Sequence, residues 1–254
     1  MLFFVYSLLF LDLFCNYRYN VIMERFSRTI NAIGEEKFNR IKSANVAVFG
    51  LGGVGGYVVE GLARSGVGKI TVVDFDLVGI TNLNRQIIAL SSTVGKYKSE
   101  LVKERVLDIN PNCEITALNM RFTPENSSEI DFLVFDYVVD AVDDTDAKTE
   151  ICLRAVKDKI PVISCMGTAN HLDPSAFKIS DLYSTSTCPL ARKMRALLKK
   201  EGVEKGQILA LYSTENPLKP QNAEQNSLAS TAFCPSVAGL LIAHRVITDI
   251  SQDF

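Results

Sequence analysis

The stretch Asn45 to Asp76 (NVAVFGLGGVGGYVVEGLARSGVGKITVVDFD) leaves this chain few ways to fold. It reads as strand, glycine turn, helix and second strand, closed by two carboxylates. Gly50, Gly52, Gly53 and Gly55 allow a tight turn and a close approach of backbone N–H groups to phosphate oxygens, with Val54 between the last two. Asp74 ends the second apolar run, roughly 20 residues past the turn, where an acidic side chain accepts a ribose hydroxyl. Asp76 follows it. The pattern predicts a nucleotide held at the positive end of a helix.

The glycine pattern alone also serves dinucleotide-dependent oxidoreductases, so the residues after it must decide. They are polar and basic: Thr81-Asn82-Leu83-Asn84-Arg85-Gln86, then Gly95-Lys96-Tyr97-Lys98. A nicotinamide needs an apolar bed, whereas phosphoryl or nucleotidyl transfer needs cations such as Arg85 and Lys98 where charge builds on phosphate oxygens. Further on, Val138-Val139-Asp140-Ala141-Val142-Asp143-Asp144 reads as a buried strand ending in carboxylates, a placement suited to Mg²⁺. The competing role for Asp143 or Asp144 is to cap the helix that begins near Asp146. An NAD-dependent oxidoreductase and a non-catalytic nucleotide-binding module stay open on the residues alone.

In order along residues 24 to about 165 stand Arg25-Phe26-Ser27-Arg28, Gly50 to Gly55, Asp74-Phe75-Asp76, Asn82 to Gln86, Gly95 to Lys98 and Asp140 to Asp143. In these motifs the chain resembles the ThiF/MoeB/HesA superfamily, relatives of the ubiquitin-activating enzymes. The resemblance implies an adenylating enzyme, in which a substrate carboxylate attacks the α-phosphate of ATP and pyrophosphate leaves. It implies that Asp74 holds the ribose, Arg85 and Lys98 the phosphates and Asp143 the Mg²⁺, while Asn82 and Gln86 line the pocket. Arg28 would reach the phosphates of a neighbouring subunit in a homodimer.

Relatives that activate sulfur-carrier proteins usually carry two Cys-x-x-Cys pairs for a structural zinc. Here the six cysteines (Cys15, Cys113, Cys152, Cys165, Cys188, Cys234) include no such pair. The second half, with Asp173-Pro174, Cys188-Pro189-Leu190-Ala191-Arg192 and Tyr212-Ser213-Thr214-Glu215, instead resembles the tRNA threonylcarbamoyladenosine dehydratases. That resemblance implies a tRNA substrate, cyclised at a modified adenosine beside the anticodon through an acyl-adenylate, with accessory proteins of the sulfur-transfer type as further partners. Adenylation of a small ubiquitin-like sulfur-carrier protein is the alternative.

At 254 residues, the chain is long enough for one α/β domain. The β/α alternation predicts a Rossmann-like, doubly wound and mainly parallel sheet, extended by antiparallel strands near Phe177–Ile179 and Ile208–Tyr212. The nucleotide-binding part should run to about residue 165, and residues 166–254 should form the substrate and dimer part. Helices are expected over Ala32–Lys42, Gly95–Ile109, Thr145–Lys157 and Pro235–Asp249, with a crossover loop over Asn216–Ala232. A net charge of −2 speaks against an indiscriminate nucleic-acid binder, yet Arg192 to Lys205 holds six basic and two acidic residues. On a helix opened by Pro189, with Leu190, Met194 and Leu197 inward, Arg192, Arg195 and Lys199 would make a phosphate track.

No disulfide framework is evident, as expected of a cytoplasmic protein. Cys165 should lie buried at a strand end. Cys188 and Cys234 precede prolines at presumed helix starts, where a helix dipole can lower a thiol pKa. His171 sits in a loop that can face the pocket, and His244 in an apolar helix. Leu2 to Phe14 is apolar but shorter than a membrane span of about 20 residues and lacks signal-peptide flanks. The preferred reading of residues 1–22 is a leader from an upstream start codon, the family-like sequence starting at Met23; the alternatives are a membrane-touching anchor or a helix that packs on the dimer, and no stable membrane insertion is expected.

Overall fold

The computed structural model describes residues 24–218 and 228–252. The apolar leader, Cys15 and much of the expected crossover loop lie outside them.

Two short helices, α1 (Ser27–Ile33) and α2 (Glu35–Ser43), precede the sheet. The single helix expected over Ala32–Lys42 is broken at Gly34, whose φ of 89° no helix accommodates. There follow β1 (Asn45–Phe49), α3 (Gly55–Ser65), β2 (Lys69–Val73), α4 (Lys98–Ile109) and β3 (Glu114–Leu118). Next come β4 (Tyr137–Asp140), α5 (Thr145–Lys157), β5 (Val162–Cys165), β6 (Phe177–Asp181), α6 (Pro189–Lys200), β7 (Leu209–Ser213) and α7 (Phe233–Ser251). Helix α4 starts later than expected because Gly95, at φ 84°, sits in a turn paired with Val78, with Leu77 bridged to Tyr97.

The strands form one seven-stranded sheet in the order β3-β2-β1-β4-β5-β7-β6. Every pairing is parallel except β6 with β7, so the antiparallel extension reduces to β6 alone, β7 running parallel to β5. Strands β4 and β5 are buried along their whole length, and β1 is buried from Val46 on, which explains their unbroken apolar runs. Alternate side chains leave opposite faces. Val46 and Val48 pack with Leu62, Val102 and Ile242 under α3, α4 and α7, while Ala47 and Phe49 pack with Ile151, Met194 and Leu198 under α5 and α6.

Helix α7 is long and apolar enough to cross a membrane by length and composition. Here it lies on α3, with Ala238, Ile242 and Val246 fully buried. Glycines permit that approach: a Cβ on Gly239 would stand 2.4 Å from Val54 O, and one on Gly61 2.6 Å from Ala243 Cβ. The helix thereby closes the core and brings Pro235 to the glycine turn.

The chain reverses strand order at β1 and β4. In such sheets the crevice beyond the carboxyl ends of those two strands is the ligand site.

Candidate functional site

The turn after β1 is set by contacts that admit no side chain. Gly50 has φ 87°, and a Cβ there would stand 2.6 Å from Ala141 O. A Cβ on Gly55 would fall 1.8 Å from Gly50 O. Helix α3 begins at Gly55 without a side-chain cap from Val54; the Gly56 and Tyr57 N–H groups donate to Gly52 O and Val54 O, and the positive end of the helix follows directly on the glycine turn.

Asp74 fastens this turn to the end of β2. Its Oδ2 accepts the Leu51 N–H at 2.5 Å and its Oδ1 the Asp76 N–H at 2.8 Å. Burial raises its carboxyl above the usual range, against the pull of the Lys98 charge. Each oxygen keeps a second lone pair for a hydroxyl. Lys98 is buried and its Nζ lies 2.7 Å from Asp76 Oδ2, so Asp76 holds the ammonium at the start of α4.

Arg85 and the glycine turn meet. The Arg85 Cγ lies 3.4 Å from the Cβ position of Gly53, with Pro235 at 3.1 Å from the same point. The guanidinium donates to Thr81 O at 2.8 Å and to Asn84 Oδ1 at 2.9 Å. Asn82 spends its Oδ1 on the Gly79 N–H, shaping the turn that carries Arg85. Gln86 is buried beside Gly52, and its Oε1 has no hydrogen-bond partner among the described residues. A buried amide oxygen left unpaired is costly, and a bound nucleotide that donates to it fits the position.

Beyond β4 the two neighbouring carboxylates part company. Asp144 Oδ1 accepts the Asp146 and Ala147 N–H groups at 3.0 and 2.9 Å, so it caps α5. Asp143 is exposed and makes no side-chain hydrogen bond or ion pair among the described residues. An unengaged carboxylate at the strand end suits Mg²⁺, which keeps most of its waters.

The structure does not bring Arg28 to this crevice. It is exposed on α1, and the neighbouring Phe26 lines a cleft with Gly66 and Asn110 at the other end of the sheet.

Several details differ from expectation. The thiol of Cys234 is buried and donates to His171 O at 3.2 Å, and burial raises its pKa, so the helix dipole does not prevail there. Cys165 is indeed buried at the end of β5 and pushed up to about 12. Cys188 is buried ahead of α6. His171 is buried edge-on against Phe177, with Nδ1 3.5 Å from Glu215 Oε2, and His244 is exposed on α7. Helix α6 buries Ala191, Met194 and Leu198 rather than Leu190 and Leu197. That rotation turns Arg195 onto Thr185, leaving Arg192, Lys193, Lys199 and Lys200 exposed.

Sequence reasoning missed a buried network behind Asp143. Lys148 on α5 and Asp140 at the end of β4 are both fully buried, with Nζ and Oδ2 2.7 Å apart. Burial pushes the Asp140 carboxyl up, opposed by Lys148 and by Ser164. The available signal was a lysine flanked at helical spacing by Ile151 and Cys152, where a solvated cation has no place.

A model described as the ThiF family matches residues 26–253. The chain is 42% identical over 246 residues to a Bacillus subtilis protein named tRNA threonylcarbamoyladenosine dehydratase, covering 91% of this chain and 96% of that one. An Escherichia coli protein of the same name is 37% identical over 205 residues, covering 78% of this chain and 76% of its own length. A crystal structure of E. coli tRNA N6-threonylcarbamoyladenosine dehydratase in complex with ATP superposes with a TM-score of 0.84 at 31% identity, covering 90% of this chain and 94% of that one.

Proposed function

This chain belongs to the ThiF family, and from that membership we propose that it is an ATP-dependent enzyme that dehydrates threonylcarbamoyladenosine in tRNA. In the first step an oxygen of the threonyl carboxylate attacks the α-phosphorus of ATP. The bond from that phosphorus to the bridging oxygen breaks, and pyrophosphate leaves. In the second, an intramolecular nucleophile of the modified base attacks the activated carbonyl, the bond to the AMP oxygen breaks, and AMP departs from a cyclised base.

The chain's task in the first step is electrostatic. Arg85 and Lys98 would offset charge on the phosphate oxygens, and the positive end of α3 would face the triphosphate. Asp74 would take a ribose hydroxyl on its spare lone pairs, and Gln86 would accept a hydrogen bond at its unpaired oxygen. Asp143 would hold Mg²⁺, which supplies positive charge to the departing pyrophosphate. Arg28 would act on a partner's site within a homodimer, since its own glycine turn is out of its reach.

The observation that carries the reading is the Arg85 stem lying across Gly53. From there the guanidinium would come within reach of phosphate oxygens held at the turn, where adenylation needs positive charge. Lys193 Nζ lies 3.2 Å from Thr145 Oγ1, so the exposed cations of α6 begin at the rim beside Asp143 and suit a tRNA backbone. A tRNA substrate also supports a cytoplasmic location.

Nucleoside mass spectrometry of tRNA from cells lacking the gene tests the proposal. The cyclised base should revert to its open threonylcarbamoyl form. Unchanged cyclised base would reject the assignment.

A further inference from the structure

The buried network behind the crevice has a geometry that reaches the site. Asp140 Oδ2 accepts Lys148 Nζ at 2.7 Å and Ser164 Oγ at 2.5 Å. The same ammonium donates to Cys165 O at 2.9 Å, so the ends of β4 and β5 are tied through one lysine. With Oδ2 thus fixed, Oδ1 accepts the Val142 N–H at 3.2 Å. Val142 lies between Ala141, whose carbonyl meets Gly50, and Asp143, which is exposed just past the carboxyl end of β4. The carboxylate is therefore clamped on one side and holds a turn on the other.

Stability does not explain such a group. Two charges taken fully out of water seldom gain more from each other than packed apolar side chains of similar volume would give. A clamp that orients a loop is a different use. Groups that orient metal ligands through hydrogen bonds typically change metal affinity by about 10–100-fold when removed.

We propose that Asp140, pinned by Lys148 and Ser164, is a positioning residue that sets the Val142 turn so that the Asp143 carboxylate meets the divalent ion of bound ATP. The proposal rests on the reading of Asp143 given above, and one experiment separates the two. Binding of ATP is measured by calorimetry on the full chain, in EDTA and with Mg²⁺, and the ratio of the two affinities is the readout. Thermal melting is followed alongside.

The double variant Asp140→Leu with Lys148→Met removes both charges and the acceptor for Val142. It should melt near the parent and bind ATP in EDTA as the parent does. Its tightening by Mg²⁺ should fall by about 10–100-fold. The double variant Asp140→Asn with Lys148→Met keeps a carbonyl acceptor and should recover most of that tightening. Ser164→Ala, a milder change, should lower it by a smaller factor.

Full tightening in the Leu pair would overturn the proposal. So would an equal loss of metal-free ATP binding, which marks a merely structural pair, or no recovery in the Asn pair. Asp143→Asn separates the readings. If it abolishes the tightening while the Leu pair keeps it, only the positioning role falls. If it leaves the tightening intact, the metal assignment itself is wrong and the positioning role goes with it.

Discussion

The loop after β1 and the loops after β5 shape the same carboxyl edge of the sheet by different means. After β1, backbone meets backbone, and Gly50 and Gly55 leave no room for a Cβ, with contacts of 2.6 and 1.8 Å. After β5, two residues in the left-handed region are not glycine: Asn170 at φ 61° and Thr187 at φ 60°. Side chains hold that half. Asn170 exchanges hydrogen bonds with Ala229 and accepts from the Leu218 N–H, Glu215 accepts from Leu172 and Asp173, and Thr187 donates to Ser213 O. The first region is shaped by the absence of side-chain atoms, with Asp74 fastening it to β2, and the second by side-chain hydrogen bonds throughout. A change in the first should therefore act as a steric block, while changes in the second should subtract one fastening at a time.

Gly55→Ala is the severest test of that contrast. Its Cβ has no flexible neighbour to displace, so the turn must open. A stability loss of about 3 kcal/mol or more in urea unfolding is expected, with loss of ATP binding. Gly202→Ala is the matched control, since nothing lies near its Cβ position. There the left-handed backbone alone should cost roughly 1–2 kcal/mol and spare ATP. Equal effects at the two sites would break the comparison.

Asn170→Ala comes next. It removes the acceptor for the Ala229 N–H and keeps an unfavourable backbone, so about 1–2 kcal/mol should be lost while the ATP affinity measured by calorimetry changes little. A loss of ATP binding comparable to that of Gly55→Ala would show the two regions to be one unit.

Asp144→Ala should cost about 1 kcal/mol of stability through the lost helix cap and leave the Mg²⁺ dependence alone. The Ala147 N–H, opposed by slight burial, holds this carboxyl below the usual range. Its folded pKa lies below the unfolded one, so the contribution is complete above about pH 4 and fades as pH falls through the folded value. The difference between parent and variant should shrink in acid. A difference that grows in acid would reject the cap.

The smallest effect belongs to the exposed cations of α6. Arg192→Ala combined with Lys193→Ala should weaken tRNA binding and reduce the slope of log affinity against log salt by about 2. An unchanged slope would remove α6 from the RNA path.

The contrast also explains what was legible in the sequence. The glycine turn, the β4 run and its carboxylates could be read because local rules and periodicity fix them. Helix α5 runs from Thr145 to Lys157, the range its pattern implied. By contrast, the insertion of β7 between β5 and β6 depends on strand pairing remote in sequence, which no local pattern encodes. Asp143 and Asp144 are chemically alike, and only the geometry of the α5 start tells cap from free carboxylate. The burial of Lys148 left a trace in its helical spacing, but its pairing with Asp140 did not, because the counter-ion sits on another element. The inward turn of Arg195 likewise follows from packing.

The central claim is that the glycine turn and Arg85 together grip a triphosphate for attack by a carboxylate. Exchange of labelled pyrophosphate into ATP, run with tRNA carrying the threonylcarbamoyl base, tests it most directly. The parent chain should exchange label only when that tRNA is present, and Arg85→Ala should lose about 2–4 kcal/mol of transition-state stabilisation while melting as the parent does. Exchange that is absent in the parent, or equally fast in Arg85→Ala, would contradict the account.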